Sequence, residues 1–302
     1  MKAKHWLIAL LFFAFGSSIF ATCGAATCPV LGYMGDLKKP FEMKLDFEQI
    51  SQDNVFVGND LSSVGAISQH HDEVETLSTR WVIGGRWQVI PGFSVRVELP
   101  YISRTHTHIH NHHGAQLRDT WNFSGMGDAW VLFDKGAFDH FGATIGVKLP
   151  TGKTDASNDD GDLAEVAIQP GSGSTDYFGS LSYKYDFFRS SVGFRLNGTG
   201  TQGWQNGNEV TAQVGGVVEP WTNIQMSLDG LFRKQAEAKA GSTGESTAGT
   251  GGTFVYINPS VMAITSEHTK LEMTMQFPIY QKVNGIQLVS PWNLRAGFAV
   301  EI

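Results

Sequence analysis

The decamer RTHTHIHNHH, residues 104–113, holds five of the ten histidines in the chain. Imidazole nitrogens suit Zn2+, Cu2+ and Ni2+. His106, His108, His110, His112 and His113, joined by His70 and His71 from an earlier connection, therefore form a candidate metal-binding set. His106, His108, His110 and His112 alternate, so an extended chain would place them on one face. Alternate residues on a strand lie roughly 6.6–7 Å apart, too far for two neighbours to share one ion without a bend. The competing reading is a polar loop of solvated imidazoles, neutral at pH 7 and charged below about pH 6.5; a histidine-rich tract is a compositional hint for metal, not a site. Asp155, Asp159, Asp160 and Asp162 offer oxygens for Ca2+ and a bridge to lipopolysaccharide, but without an ordered calcium-loop spacing. No serine shares a face with a histidine and a polar orienting group, so catalysis is not expected, and no cofactor is required.

The elements that must hold these residues alternate at period two. In NLRAGFAVEI, Leu294, Ala296, Phe298, Val300 and Ile302 share one face, and Arg295 and Glu301 the other. TKLEMTMQFPI, SSVGFRLNG and FSVRVELPY behave alike, which makes the chain all-β. About twelve such segments can be placed, near 41–50, 75–90, 93–104, 126–135, 141–150, 174–186, 189–199, 208–219, 222–234, 253–264, 267–279 and 292–302. Connections after the even-numbered segments are short (IPG, KGAFDH, DFFR, EPWTN, TSEH). Those after the odd-numbered ones are mostly long: 51–74, 105–125, 151–173, 235–252 and 280–291, with 200–207 the shortest.

Short turns on one side and long loops on the other are the pattern of an antiparallel transmembrane β-barrel, with periplasmic turns and extracellular loops. Met1 to Ala21 open the chain with Lys2, Lys4 and an apolar run over 6–15, the layout of a secretory signal peptide. Residues 1–22 are assigned to it, with cleavage between 21 and 26, and residues 23–40 to a mature N-terminal segment that could plug the lumen. Residues 41–302 are the barrel. Cys23 and Cys28 could pair, or Cys23 could carry lipid; the residues leave this open. A formal charge of −7 without a basic stripe excludes nucleic acid as a partner.

A charge facing lipid at the midplane costs about 2–4 kcal/mol, so the charged face must line the lumen. This face carries Glu42, Lys44, Asp46, Glu48, Arg80, Arg86, Lys184, Asp186, Asp229 and Arg233. Trp81, Trp87, Tyr177, Tyr183 and Tyr185 sit on the other face near segment ends, as an interfacial girdle would. The candidate lumen and constriction residues are Arg96, Glu98, Asp128, Lys148, Asp176, Arg195 and Arg295. Asp128 and Asp176 read more simply as partners of an inward Arg or Lys, because buried charges are usually paired. Twelve strands lie between the eight whose barrels fill with side chains and the sixteen that leave an aqueous channel. A narrow passage for small solutes is expected.

Five short motifs occur in order: VELPY (97–101), GMGD (125–128), KLPTG (148–152), GSGSTD (171–176) and YQKVNGIQL (280–288). Together they resemble the outer-membrane transporter-like family labelled as the meta-pathway of phenol degradation group, from about residue 41 to the end. The resemblance implies a channel for hydrophobic or aromatic compounds. The chain departs from many barrels in ending on Ile302 rather than an aromatic residue, and the histidine run has no counterpart in the family pattern. The reading is thus an outer-membrane channel whose partners are membrane lipid, lipopolysaccharide, the barrel-assembly machinery and a small solute. The alternative is a closed barrel binding transition metal through its histidine-rich loops.

Overall fold

The computed structural model describes residues 39–67, 71–112, 115–137, 140–158, 161–241, 245–246 and 249–302. The signal peptide, both cysteines and most of the segment 23–40 lie outside them. Among the described residues eighteen strands form: β1 (Phe41–Gln52), β2 (Asn54–Val57), β3 (Asp60–Ser62), β4 (His71–Ile90), β5 (Phe93–His112), β6 (Ala115–Met126), β7 (Ala129–Ala137), β8 (Phe141–Leu149) and β9 (Asp176–Tyr185). They continue with β10 (Phe188–Leu196), β11 (Glu209–Trp221), β12 (Ile224–Gln235), β13 (Lys239–Ala240), β14 (Glu245–Ser246), β15 (Gly252–Ile264), β16 (Thr269–Val283), β17 (Ile286–Val289) and β18 (Asn293–Glu301).

Neighbours pair antiparallel around a closed ring, β1–β4–β5–β7–β8–β9–β10–β11–β12–β15–β16–β18 and back to β1, with β6 continuing the stave of β7. This is the expected all-β barrel of twelve staves. Closure leaves no edge strand and satisfies the backbone groups of the wall, which a bilayer demands. Phe41 and Ile302 exchange backbone hydrogen bonds where the first and last staves meet. At the tight turns, left-handed backbone falls on Asp186 and Asn223 (φ 54° and 70°), residue types that tolerate it.

The two faces separate as the alternation requires. Ile83, Ile145, Leu181, Leu228 and Ile279 stand exposed on the outside, while Asp46, Glu48, Arg80, Arg96, Asp229, Arg233 and Arg295 are buried inside. Trp81, Trp87, Tyr177 and Tyr185 are exposed on the outer face, and His140 packs edge-on against Tyr183 and Tyr185 at one short turn. Lys184 and Asp186, expected in the lumen, instead lie exposed at that turn. The strand reaches the end of the barrel there, and parity no longer decides what a side chain meets.

The long connections differ most from expectation. Residues 105–112 and 115–125 are strand rather than loop: β5 runs on to His112 and β6 returns from Ala115, paired along their length. At 20 residues each, β4 and β5 are about twice the 9–11 that a tilted strand needs to cross a bilayer. With β6 they rise as a three-stranded arm on the long-loop side. Threonine, isoleucine, tryptophan and phenylalanine within 105–123 favour the extended backbone. A further small sheet of β3, β2 and β17 folds in this region.

Candidate functional site

The joint between β6 and β7 organises the lumen. On β5, Glu98 faces Trp130 and Tyr101 faces Met126, so the β6–β7 stave carries one residue more than its partner. This is a β-bulge, and it lies opposite Pro100, which has no N–H to give a ladder. The extra residue reverses inward parity: Trp121 and Phe123 face in on β6, but Asp128, Trp130 and Leu132 face in on β7.

Asp128 thereby meets Lys148 from β8 and Asp176 from β9. The Lys148 Nζ lies 3.1 Å from Asp128 Oδ2 and 2.6 Å from Asp176 Oδ2, and all three side chains are fully buried. Asp128 also accepts hydrogen bonds from the backbone N–H groups of Gly152 and Ser172 and from the Ser172 hydroxyl. Ser174 donates to Asp176. Charges taken out of water are tolerable only when their remaining hydrogen-bonding capacity is met, and here it is. GMGD, KLPTG and GSGSTD, far apart in sequence, converge on this knot. Gly152 and Gly171 pass so close that a Cβ on Gly152 would stand 2.6 Å from the Gly171 Cα. Between the motifs of this knot, Ala156, Ala164 and Ile168 pack on Trp121 and Phe123 of the arm.

A second ionic cluster lies among β1, β4, β5, β7, β16 and β18. Arg295 approaches Asp46 at 3.0 Å, Glu272 at 3.6 Å and Glu48 at 3.9 Å. Arg80 reaches Glu48 at 3.3 Å; Lys44 lies 3.5 Å from both Asp46 and Glu272. Arg96 sits between Glu98 and Asp134, at 3.6 and 3.0 Å. Elsewhere on the wall Arg195 and Arg233 share Glu209, and Arg189 pairs with Asp229. Each candidate lumen residue, Arg96, Glu98, Asp128, Lys148, Asp176, Arg195 and Arg295, thus points inward to a charged neighbour.

Sequence reasoning missed an apolar patch inside the same lumen. Trp130 and Leu132 of β7, Phe178 of β9, Leu231 of β12, and Phe254 and Tyr256 of β15 are buried on the inward face and join one cluster. Val283 and Val289 belong to it, with Phe56 of β2 packed against it from the small sheet. Phe254 and Tyr256 stack with centroids 6.2 Å apart, and the Arg233 guanidinium lies over Phe254. Leu132 fits because Gly146 on β8 faces it without a side chain. The signal was present: Trp130 and Leu132 share the parity of Asp128, Phe178 that of Asp176, and Leu231 lies between Asp229 and Arg233.

Of the seven candidate histidines, His106, His108 and His110 have side chains among the described residues. His106 is buried, its Nε2 3.0 Å from Glu73 and its Nδ1 2.8 Å from the Thr76 hydroxyl. His108 and His110 lean together until their Nε2 atoms stand 2.6 Å apart, closing a gap that strand spacing alone would leave open. His71 pairs with His110 across β4 and β5 in backbone register, and His112 ends β5. The side chains of His71 and His112, and all of His70 and His113, lie outside the described residues.

No family model and no curated protein matches the chain, so the resemblance to the phenol-degradation group gains no support from either comparison. Solved structures do match in fold. An outer membrane channel from Pseudomonas putida F1 has a TM-score of 0.59 at 10% identity, covering 88% of this chain and 96% of that one. The Pseudomonas putida toluene transporter TodX has a TM-score of 0.52 at 7% identity, covering 96% and 100%. The beta domain of the Bordetella autotransporter BrkA has a TM-score of 0.50 at 10% identity, covering 88% and 100%. A closed barrel with an apolar exterior, a charged interior and this likeness is a protein of the bacterial outer membrane.

Proposed function

We propose that the chain conducts small hydrophobic solutes, aromatic ones included, across the outer membrane. The observation that carries this reading is the inward patch of Trp130, Leu132, Phe178, Leu231, Phe254 and Tyr256. Aromatic side chains offer stacking and edge-on contact to an aromatic guest, and apolar pockets with a few polar groups at their margin are the usual form of a small-molecule site. Arg233 and the Asp128–Lys148–Asp176 knot lie at that margin. The fold shared with a toluene transporter fits the same solute class.

The test uses an aromatic probe that fluoresces on reaching membrane lipid, 1-N-phenylnaphthylamine, added to Gram-negative cells expressing the chain. Expression should speed its entry. Leu132→Asp with Phe178→Asp, shown to be folded by heat-modifiable gel mobility, should return entry to the rate of cells lacking the protein. Wild-type entry rates in that folded double variant contradict the proposal.

A further inference from the structure

On the arm of β4, β5 and β6, the geometry points to a divalent transition-metal site built from His108, His110 and Asp119, with Zn2+ or Ni2+ as the ion. Among the described residues this is the one group of three metal-ligating side chains whose ligand atoms converge, all lying within 4.8 Å of one another.

The register creates it. His108 of β5 pairs directly with Asp119 of β6, so imidazole and carboxylate start from adjacent backbone positions. His110 belongs to the same strand two residues on, and its ring turns back edge-on to His108, with centroids 4.3 Å apart. Two nitrogens 2.6 Å apart must share one proton between them. An ion bound tetrahedrally at about 2.0–2.1 Å from each nitrogen would hold them about 3.3 Å apart, so replacing the proton by a metal needs an opening of about 0.7 Å from the 2.6 Å seen here.

The surroundings are those of a ligand set held in place. Asp119 receives the backbone N–H of Thr120 on Oδ1 and the indole N–H of Trp121 on Oδ2, which fix the carboxylate while leaving it lone pairs. Trp121 also lies edge-on to His108, at 5.6 Å between centroids. Partners of this kind orient first ligands and sharpen metal affinity. His106 is excluded from the set because Glu73 and Thr76 already engage both of its nitrogens. Two imidazoles and a carboxylate are a borderline donor set that favours Zn2+ or Ni2+ over the all-oxygen preference of Ca2+. Three protein ligands leave the fourth tetrahedral position to water or to an outside ligand.

Bound there, the ion would tie β5 to β6 beside Trp121, the residue on which segment 150–175 rests. It would stiffen the arm without touching the lumen patch, so it stands or fails apart from the conduction proposal.

Calorimetric titration of the full chain in detergent with Zn2+ tests this. Uptake of one equivalent is expected. His110→Gln and Asp119→Asn should each weaken it by about tenfold or more, whereas His112→Ser with His113→Ser should leave it intact. Heat-modifiable mobility verifies that each variant is folded. The assignment is overturned if folded Asp119→Asn and His110→Gln bind as the wild type does. It is equally overturned if the His112→Ser, His113→Ser pair abolishes uptake, because binding would then follow histidine content rather than this geometry.

Discussion

Lys148 Nζ stands 2.6 Å from Asp176 Oδ2 at a point of the barrel where neither side chain reaches solvent, and Asp128 completes the knot. Removing the cation from such a group leaves two buried carboxylates without compensation, a loss of about 3–5 kcal/mol. Lys148→Met should therefore lower the urea midpoint of the detergent-folded barrel strongly. Adding Asp128→Asn and Asp176→Asn to it should restore most of the loss, since all three side chains are then neutral and the two amides can still hydrogen-bond. Equal instability of the single and triple variants would mean that volume, not charge, governs this place.

The close passage of Gly152 and Gly171 makes a second prediction. A methyl group at residue 152 would overlap the Gly171 Cα and the backbone of Gly127 and Asp128. Overpacking of this kind costs about 1–3 kcal/mol. Gly152→Ala should leave the barrel folded but release segment 150–175, read as faster proteolysis between 153 and 170. Unchanged protection would show that the crossing tolerates a side chain.

The outward face supports a third. Ile145 lies midway along β8, 64% exposed on the lipid side. Arginine there should cost about 2–4 kcal/mol if lipid surrounds that position. Thr144, one residue away, faces Asp134 inside and donates to it. Thr144→Lys would meet that carboxylate instead of hydrocarbon, so it should be tolerated far better. Folding yields into vesicles of the two variants measure the difference, and similar yields would put the lipid boundary elsewhere.

Those contrasts also explain what could be read from residue order. Where lipid wets one face and the lumen the other, apolar and charged residues must alternate, and Phe298 against Arg295 or Met273 against Glu272 shows it directly. Above the membrane the contrast disappears. Thr105 and Thr107 on one side and His106 and His108 on the other are all polar, so the continuation of β5 looked like a loop. The lumen patch was hidden for the opposite reason. Trp130, Leu132 and Phe254 are apolar residues on the inward face, where the alternation rule expects polar ones. The bulge at 127–129 added to this by reversing parity within a single stave. The knot at Asp128 was half visible: its acids could be assigned inward and paired, but nothing in the spacing disclosed that one lysine serves both.

Arg295 supplies the last prediction. Its guanidinium faces Asp46, Glu48 and Glu272 within the lumen, and Lys44 and Arg80 neutralise only part of that acidic ring. Replacing it with methionine keeps the bulk and removes one positive charge from the inner wall, so the local potential becomes more negative. In a planar bilayer under a potassium chloride gradient, the reversal potential of Arg295→Met should move toward that of potassium, meaning higher cation preference. Glu272→Gln, which removes a negative charge from the same ring, should move it the other way. If both variants share the wild-type reversal potential while conducting, ions pass through without sensing this cluster.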